Sequence, residues 1–416
     1  MSRSEKSASE LGESAADFGS GARSRTLIAG ATIALVALGG YLAVVPVFRQ
    51  YLLEYLGIGD REFGLMFGLA AAAALVPALF AGWLADSWGA RRVVRWSLVG
   101  CAVSLGLLAI SGAWWIVMAG ALALNRLFSV PLDLAANTFL VHLYPNRTRR
   151  IVSLNLAVRS ASEMVVTTLC ECWLKLVQAL PAVSFAVVLH VPFAALAAVF
   201  AAGSFLYRGS ENLPRLRWSW RSLRLSRRSG ALVALMALHG AADGTLFTWM
   251  PRYLGGPSFT ETGFLKPGMV LSAFSLAYLV SRLGLAGVPE GSGRRLLMVA
   301  PGLVGGTLAI AGFLSGRYNW AALGYVVGGL CWSLEYPMMV SVMAEVERER
   351  FGSALAVASL ATAALGALAV SLAGQAVALL GPERMTGVMV ALAGGFPIVG
   401  AGGALWLALG HRGGHC

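Results

Sequence analysis

Apolar stretches of about 20 residues recur along almost the whole chain, separated by short polar segments. A helix of that length crosses the hydrocarbon core of a bilayer, which is about 30 Å thick. The alternating apolar and polar pattern that a membrane barrel requires is absent from the sequence, so helices remain the way to satisfy the backbone in lipid. The pattern predicts twelve spanning helices, near residues 26–48, 63–85, 94–111, 114–141, 152–174, 182–206, 230–254, 267–287, 295–314, 319–343, 353–380 and 385–409.

The connections between these predicted spans alternate in charge. Those after odd-numbered spans carry few basic residues, whereas those after even-numbered spans are rich in arginine. By the positive-inside rule, the arginine-rich connections and both termini are cytoplasmic, and the protein is a multi-pass protein of the cell (inner) membrane. The arginine-rich set comprises Arg91, Arg92 and Arg95; Arg147, Arg149 and Arg150; seven arginines between Arg208 and Arg228; Arg294 and Arg295; and Arg348 and Arg350.

A long polar segment after the sixth span divides the chain into two halves of similar length. The halves also share landmarks: Asp86 and Gly89 follow span 2, and Glu290 and Gly293 follow span 8 at similar spacing. Internal repeats of this kind are typical of transporters. We therefore expect an all-α membrane protein with two six-helix bundles. The predicted units are a disordered cytoplasmic tail (1–25), an N-terminal bundle (26–206), a cytoplasmic linker (207–229), a C-terminal bundle (230–410) and a second cytoplasmic tail (411–416).

The composition fits a protein that is largely surrounded by lipid, and it excludes several functions. Hydrophobic residues make up 57% of the chain and charged residues only 12%, against about 25% charged in an average soluble domain. The net charge of +12 comes from arginines in the connections, which indicates topology and not nucleic-acid binding. Beside Cys170 and Cys172 no second cysteine pair completes a metal site. No nucleophile–base constellation is evident, so we expect no enzyme activity and no cofactor.

The sequence GWLADSWGARR after span 2 is the most specific motif. It strongly resembles the signature loop between helices 2 and 3 of the major facilitator superfamily, in which this loop stabilises one conformation and gates the switch. The resemblance implies twelve helices in two six-helix bundles and a gating role for the matching residues. These are Gly82, Asp86, Gly89, Arg91 and Arg92.

Two further segments resemble the facilitators related to fucose permease. In span 4, LDLAANTF is similar to their LD-x-x-x-N pattern and contains Asp133 and Asn137. In span 7, HGAADGTLFTWMPRYL is similar to their acidic residue followed by Trp, Pro and Tyr-Leu, with Asp243 as the acid and His239 as an addition.

Ionisable side chains inside spans are costly unless a cavity or a partner receives them. In the superfamily, helices 1, 4, 7 and 10 line the central cavity, so the resemblance places several such residues there. We predict substrate contacts from Arg126, Asn137, His239, Trp249 and Tyr336, and proton coupling by Asp133, Asp243 and Glu335. A structural ion pair between Arg126 and Asp133, and another between Arg159 and Glu163, are the plainer alternatives.

Three hypotheses of function follow. The first is proton-coupled uptake of a small polar solute, such as a sugar, by alternating access in a monomer; sodium is an alternative coupling ion. The second is an exporter that exchanges protons for a drug or metabolite. Span 5 has neither Gly nor Pro, whereas exporters of the superfamily often carry a Gly-Pro-Gly-Gly type motif there, and this favours uptake. The third is a sensor without transport activity on the same scaffold.

Overall fold

In the computed structural model, twelve helical rods cross the molecule, and the described residues contain no strand. The described residues are 21–88, 90–112, 114–179, 185–206, 225–259, 261, 263–290, 292–347 and 350–412. The N-terminal half contains α1 (Gly21–Leu56), α2a (Asp60–Ala73), α2b (Leu75–Trp88), α3 (Ala90–Ile110), α4 (Trp115–Leu143), α5 (Thr148–Gln178) and α6 (Phe185–Leu206). The C-terminal half contains α7 (Arg227–Leu254), α8 (Pro267–Gly287), α9 (Arg294–Leu314), α10a (Tyr318–Trp332), α10b (Glu335–Val346), α11 (Phe351–Leu380), α12a (Met385–Ala393) and α12b (Gly395–Arg412).

The prediction of an all-α protein with twelve spans is confirmed, with longer helices than expected at several ends. The first helix extends from Gly21 to Leu56 and so begins inside the predicted tail. The seventh begins at Arg227, inside the predicted linker. The rest of the predicted tails and linker, at 1–20, 207–224 and 413–416, lies outside the described residues.

Three rods are broken at a point that the periodicity did not predict. The breaks fall at Ala74, at 333–334 and at Gly394. In each case a proline, Pro77, Pro337 or Pro397, is the third residue of the segment that follows. Proline has no N–H and its ring clashes with the carbonyl four residues earlier, so a first turn suits it better than a helix interior. Each break therefore coincides with the hydrogen bond that the proline cannot make.

The fifth rod, α5, differs in composition from the others. Nine helical segments in the described part of the chain are long and apolar enough to span a bilayer by composition, and α5 is not among them. It carries charges in the middle of its length, including Arg159 and Glu163. Its extensive contacts with α8 of the other half, and with α1, bury much of this polar surface away from lipid. A polar helix is tolerated here because protein surrounds it.

Two pairs of helices make the most extensive contacts between the halves among the described residues. They are α5 with α8, and α2a with α11. At the second contact Gly64 faces Gly374, and a Cβ built on either glycine would lie 2.9 Å from the Cα of the other. Only residues without side chains permit this approach of two helix backbones. The two pairs stand on opposite sides of a central space.

Candidate functional site

A cavity of about 350 Å³ lies between the two halves. Its wall comes from α1, α2, α4 and α5 in the N-terminal half and from the corresponding helices α7, α8, α10b and α11 in the C-terminal half. The volume is at the small end of the range for ligand pockets, so it suits a small solute. The ionisable side chains on the wall are Tyr41, Arg126, Asp133, Arg159, Glu163, His239, Asp243, Tyr278, Arg282 and Tyr336.

One face of α4 presents a polar stripe to this cavity. Arg126, Ser129, Asp133 and Asn137 follow each other at three- or four-residue intervals and all line the wall. Asn137 Nδ2 donates to Asp133 Oδ1 over 2.9 Å and to the Asp133 carbonyl over 3.0 Å. Asn155 Nδ2 from α5 lies 3.4 Å from Asn137 Oδ1. Asp133 is thus held by its neighbour one turn on, and not by Arg126.

The polar face of α5 forms the adjacent wall. Arg159 Nε donates to Glu163 Oε1 over 3.0 Å, one turn apart on the same helix. From α8, Arg282 donates to the Leu156 carbonyl over 2.9 Å and to Ser160 Oγ over 2.5 Å. Arg282 therefore connects the two halves beside the cavity.

Asp243 on α7 accepts hydrogen bonds from two aromatic side chains. Tyr278 OH donates to Asp243 Oδ1 over 2.5 Å, and Trp332 Nε1 lies 3.3 Å from the same oxygen. Trp332 Nε1 also donates to Tyr278 OH over 2.5 Å. Trp332 in turn stacks on Phe396 at 3.9 Å between ring centres. The three side chains position the carboxylate on the cavity wall through a rigid aromatic layer.

His239 separates the cavity from a second, fully buried carboxylate. Its imidazole lines the wall, and its Nδ1 lies 3.0 Å from Glu335 Oε2. Glu335 is 0% exposed, and its Oε1 has no hydrogen-bond partner within the described residues. It is the first residue of α10b, directly after the break in that rod. His239 is therefore the ionisable wall residue that contacts Glu335.

Residues 30–371, more than half of the chain, match the family model described as Major Facilitator Superfamily. The chain belongs to the major facilitator superfamily. Members of this superfamily are membrane transporters, so this facilitator is a multi-pass membrane transporter and not an enzyme.

Solved structures of other facilitators share the fold at low sequence identity. The fucose:proton symporter FucP of E. coli is 12% identical, with a TM-score of 0.65 over 92% of this chain and 98% of that one. The proton:xylose symporter XylE is 12% identical, with a TM-score of 0.71 over 93% and 95%. The nucleoside transporter NupG is 16% identical, with a TM-score of 0.67 over 92% and 98%. No curated protein sequence matches the chain.

The facilitator is closed at the end of the cavity where α1 ends and α2a begins. Asp60 accepts from Arg49 over 2.5 Å and from Arg252 of the other half over 3.2 Å. The buried guanidinium of Arg49 lies 4.4 Å from the Phe63 ring centre and 4.3 Å from the Trp249 ring centre. We call these five residues the α1–α2 closure. Arg49 lies one turn beyond Pro46, which lines the cavity, so the closure covers that end of it.

A different set of contacts closes the opposite end. Arg149, at the start of α5 and 0% exposed, donates to the Ser292 and Val288 carbonyls over 2.8 Å each, and also to the Pro289 carbonyl. The Arg150 N–H donates to Glu290 Oε1 over 3.0 Å. We call Arg149, Arg150 and their partners Val288, Pro289, Glu290 and Ser292 the α4–α5 closure. Both ends of the cavity are therefore covered by contacts between the halves.

The structure brings together most of the residues predicted to contact substrate or couple protons. Arg126, Asp133, Asn137, His239, Asp243 and Tyr336 line one cavity. Glu335 lies behind His239, and Trp249 lies outside the wall in the α1–α2 closure, 0% exposed. The predicted pair of Arg126 with Asp133 is not formed, whereas the pair of Arg159 with Glu163 is.

The predicted gating residues are described only in part. Gly82 and Asp86 lie in α2b, Arg91 and Arg92 lie in α3, and Arg92 is exposed. Gly89 and the side chains of Asp86 and Arg91 lie outside the described residues.

Sequence reasoning missed Tyr278 and Arg282 on α8. Arg282 carried a usable signal, because it is a charge inside the predicted span 267–287. Tyr278 carried none, since a tyrosine in a span is equally compatible with packing against lipid or other helices.

Proposed function

We propose that this facilitator is a proton-coupled symporter that carries a small polar solute into the cell by alternating access. The observation that carries the proposal is a solute-sized cavity between two matching halves, lined by ionisable groups and covered at each end by a separate set of contacts. A solute bound there would be exposed to one side when one closure opens and to the other side when its counterpart opens.

Roles follow from the contacts of each residue. Asn137, Tyr336 and Arg126 offer hydrogen bonds to the solute from the wall. Asp133, Asp243 and Glu335 are the proposed proton carriers, because the proton affinity of a carboxylate depends on the polarity and charge around it, and both change as the halves move. His239 would relay protons to Glu335. In this proposal Trp249 acts in the α1–α2 closure and contacts the solute only when that end rearranges.

The proposal includes an orientation and an oligomeric state. Arg147, Arg149 and Arg150 lie at the α4–α5 end, so the positive-inside rule puts that end and both termini in the cytoplasm of the inner membrane. The site is formed by residues of one chain, which is consistent with a working monomer.

Proton movement in proteoliposomes tests the function without knowledge of the substrate. Purified protein is reconstituted with a pH-sensitive dye inside, and sugars, sugar acids, nucleosides, amino acids and dipeptides are added outside. Symport predicts that one class of solute acidifies the interior. Asp243→Asn and Glu335→Gln should abolish this signal, whereas Glu383→Gln, an exposed carboxylate outside the cavity, should retain it.

Four results would overturn the proposal. Alkalinisation on adding solute would indicate antiport and thus export. Solute uptake measured by mass spectrometry with no change in internal pH would exclude proton coupling, and a requirement for sodium would assign another ion. No uptake of any class would favour a sensor without transport activity.

A further inference from the structure

The cationic side chains of the cavity differ in how far the protein itself satisfies them. Arg159 is paired with Glu163 at 3.0 Å. Arg282 donates to the Leu156 carbonyl and to Ser160 Oγ. Both guanidinium groups are therefore engaged with α5, and each has a structural task that does not require a ligand.

Arg126 is the exception. It lines the cavity and is half-buried, yet no hydrogen bond or ion pair joins it to the described residues. Its guanidinium lies 5.8 Å from the centre of the Tyr41 ring. Asp133, two turns along the same helix face, is held instead by Asn137. A guanidinium without a partner at membrane depth is costly, so a partner from outside the chain would stabilise it.

Two buried hydroxyl groups on the same wall also lack partners. Ser129 is one turn from Arg126 on the lining face of α4, and Thr245 lines the cavity from α7 of the other half. Each is 1% exposed, and neither Ser129 Oγ nor Thr245 Oγ1 has a hydrogen-bond partner among the described residues. Buried polar atoms normally have a partner, and exceptions require an explanation. A hydroxylated ligand in the cavity would supply one.

We propose that the substrate is a small hydroxylated monocarboxylate, such as a sugar acid, whose carboxylate binds Arg126 and whose hydroxyls bind Ser129 and Thr245. The planar fork of a guanidinium matches a carboxylate through two parallel hydrogen bonds. This inference rests on the proposed transport function and names the substrate class of the same site.

The charge on the cavity wall favours a monoanion over a phosphate. Three guanidinium groups face three carboxylates, those of Asp133, Glu163 and Asp243. When all six are ionised, a dianionic phosphate would enter a wall with no net positive charge and would face three anions. Once one carboxylate takes up a proton, the wall carries one excess positive charge, which a single carboxylate neutralises. Transport of one proton with one monoanion would then be electroneutral.

Binding measurements on matched ligands test this inference. Full-length protein in detergent is titrated calorimetrically with D-gluconate, D-galactonate, D-glucuronate and D-xylonate. The comparison ligands are D-glucose, D-galactose, D-xylose, D-glucosamine and D-glucose 6-phosphate. We expect at least one acid to bind, and its neutral counterpart to bind at least about 10-fold more weakly, because a hydrogen bond to a charged group is worth about 1.5–3 kcal/mol.

Variants assign the contact to Arg126. Arg126→Gln should weaken binding of that acid by about 10-fold or more, and Arg126→Lys by less, since an ammonium retains charge but not the fork. Ser129→Ala keeps every charge and should weaken binding of the acid by about 2- to 10-fold. Arg61→Gln, which removes an exposed arginine outside the cavity, should leave the affinity unchanged. Monodisperse elution of each variant excludes misfolding as the cause.

The inference is overturned if none of the acids binds, or if a neutral sugar, glucosamine or glucose 6-phosphate binds more tightly than every acid. It is also overturned if Arg126→Gln and Ser129→Ala both bind the acid with the affinity of the parent protein. These results differ from a failure of the transport proposal. A neutral sugar that acidifies the interior of proteoliposomes would support proton symport and refute the inference that the substrate is an acid. An acid that binds through Arg126 but is not transported would support the assignment of the ligand and refute the transport proposal.

Discussion

The contact between His239 and Glu335 is the most unusual pairing at the residue scale. One carboxylate oxygen has the imidazole at 3.0 Å, and the other is buried without a hydrogen-bond partner in the described part of the chain. An ionised carboxylate in this position would leave strong acceptor capacity unused in a low-dielectric interior, which is costly. A protonated carboxyl group would be less costly there, and His239 is its hydrogen-bond partner. These contacts suit the roles proposed for the pair, in which His239 passes a proton to Glu335 and Glu335 holds it.

A variant that cannot bind the proton should separate two transport modes. Glu335→Gln keeps the shape of the side chain and can still accept from His239, so solute exchange at equal pH should continue. Accumulation driven by a pH gradient should fall to the level of protein-free liposomes, because the proposed coupling group is lost. Both modes can be followed by mass spectrometry of vesicle contents, with Glu383→Gln as the control. Undiminished gradient-driven accumulation in Glu335→Gln would exclude this acid from coupling.

At the scale of helical elements, the breaks in α2, α10 and α12 decide where side chains point. The break before Glu335 turns the start of α10b towards α9, where Glu335 packs against Gly302. The carbonyl of Phe396, in the first turn of α12b, approaches the same glycine. Two of the three breaks therefore meet at one glycine of α9. This packing explains why Glu335 is buried behind the cavity instead of lining it.

A methyl group at this position should destabilise the protein. In Gly302→Ala the new Cβ would lie 2.9 Å from Glu335 Cδ and closer still to Oε1, so a side chain or a helix must move. Overpacking of this kind costs about 1–3 kcal/mol, and we expect a lower melting temperature by intrinsic fluorescence in detergent. Gly284→Ala is the matched control, because no heavy atom lies within 4 Å of its added Cβ and alanine favours a helix. Equal melting temperatures for Gly302→Ala and the parent would refute this packing account.

The same elements show what the sequence could and could not predict. The number of helices followed from the number of apolar stretches long enough to cross a bilayer. Arg126, Asp133, His239 and Asp243 were found because an ionisable side chain inside a spanning helix needs a cavity or a partner. The direction of Glu335 could not be predicted, because it depends on a break whose proline looks like others that lie within continuous helices, such as Pro301. The contribution of α8 was missed because Arg282 contacts α5 across the interface between the halves, and the sequence does not show which helices meet there.

At the scale of the whole molecule, the two closures oppose each other. The α1–α2 closure brings Asp60 of one half to Arg252 of the other. The α4–α5 closure brings Arg149 of the N-terminal half to the carbonyls of Val288, Pro289 and Ser292. If the halves rock about the cavity as nearly rigid bodies, opening one end compresses the other. Each closure then stabilises the conformation in which the opposite end is free to open.

Loss of either closure should consequently shift access in opposite directions. Asp60→Asn leaves Arg49 and Arg252 without their carboxylate, and Arg149→Gln removes most of the donors at the other end. A contact of a charged group is worth about 1.5–3 kcal/mol, which is roughly a tenfold or larger change in the ratio of the two open states. A reporter Thr245→Cys, in a background without native cysteines, can be labelled with an impermeant maleimide in right-side-out and inverted vesicles.

Asp60→Asn should raise labelling from the α1–α2 side and lower it from the α4–α5 side, and Arg149→Gln should do the reverse. Arg61→Gln, at an exposed neighbour of Asp60, should change neither rate. Which vesicle preparation responds also tests the orientation, because positive-inside topology requires Asp60→Asn to act on the right-side-out vesicles. If both variants increased labelling from the same side, the closures would not act against each other, and rocking of two rigid halves would be the wrong description of this transporter.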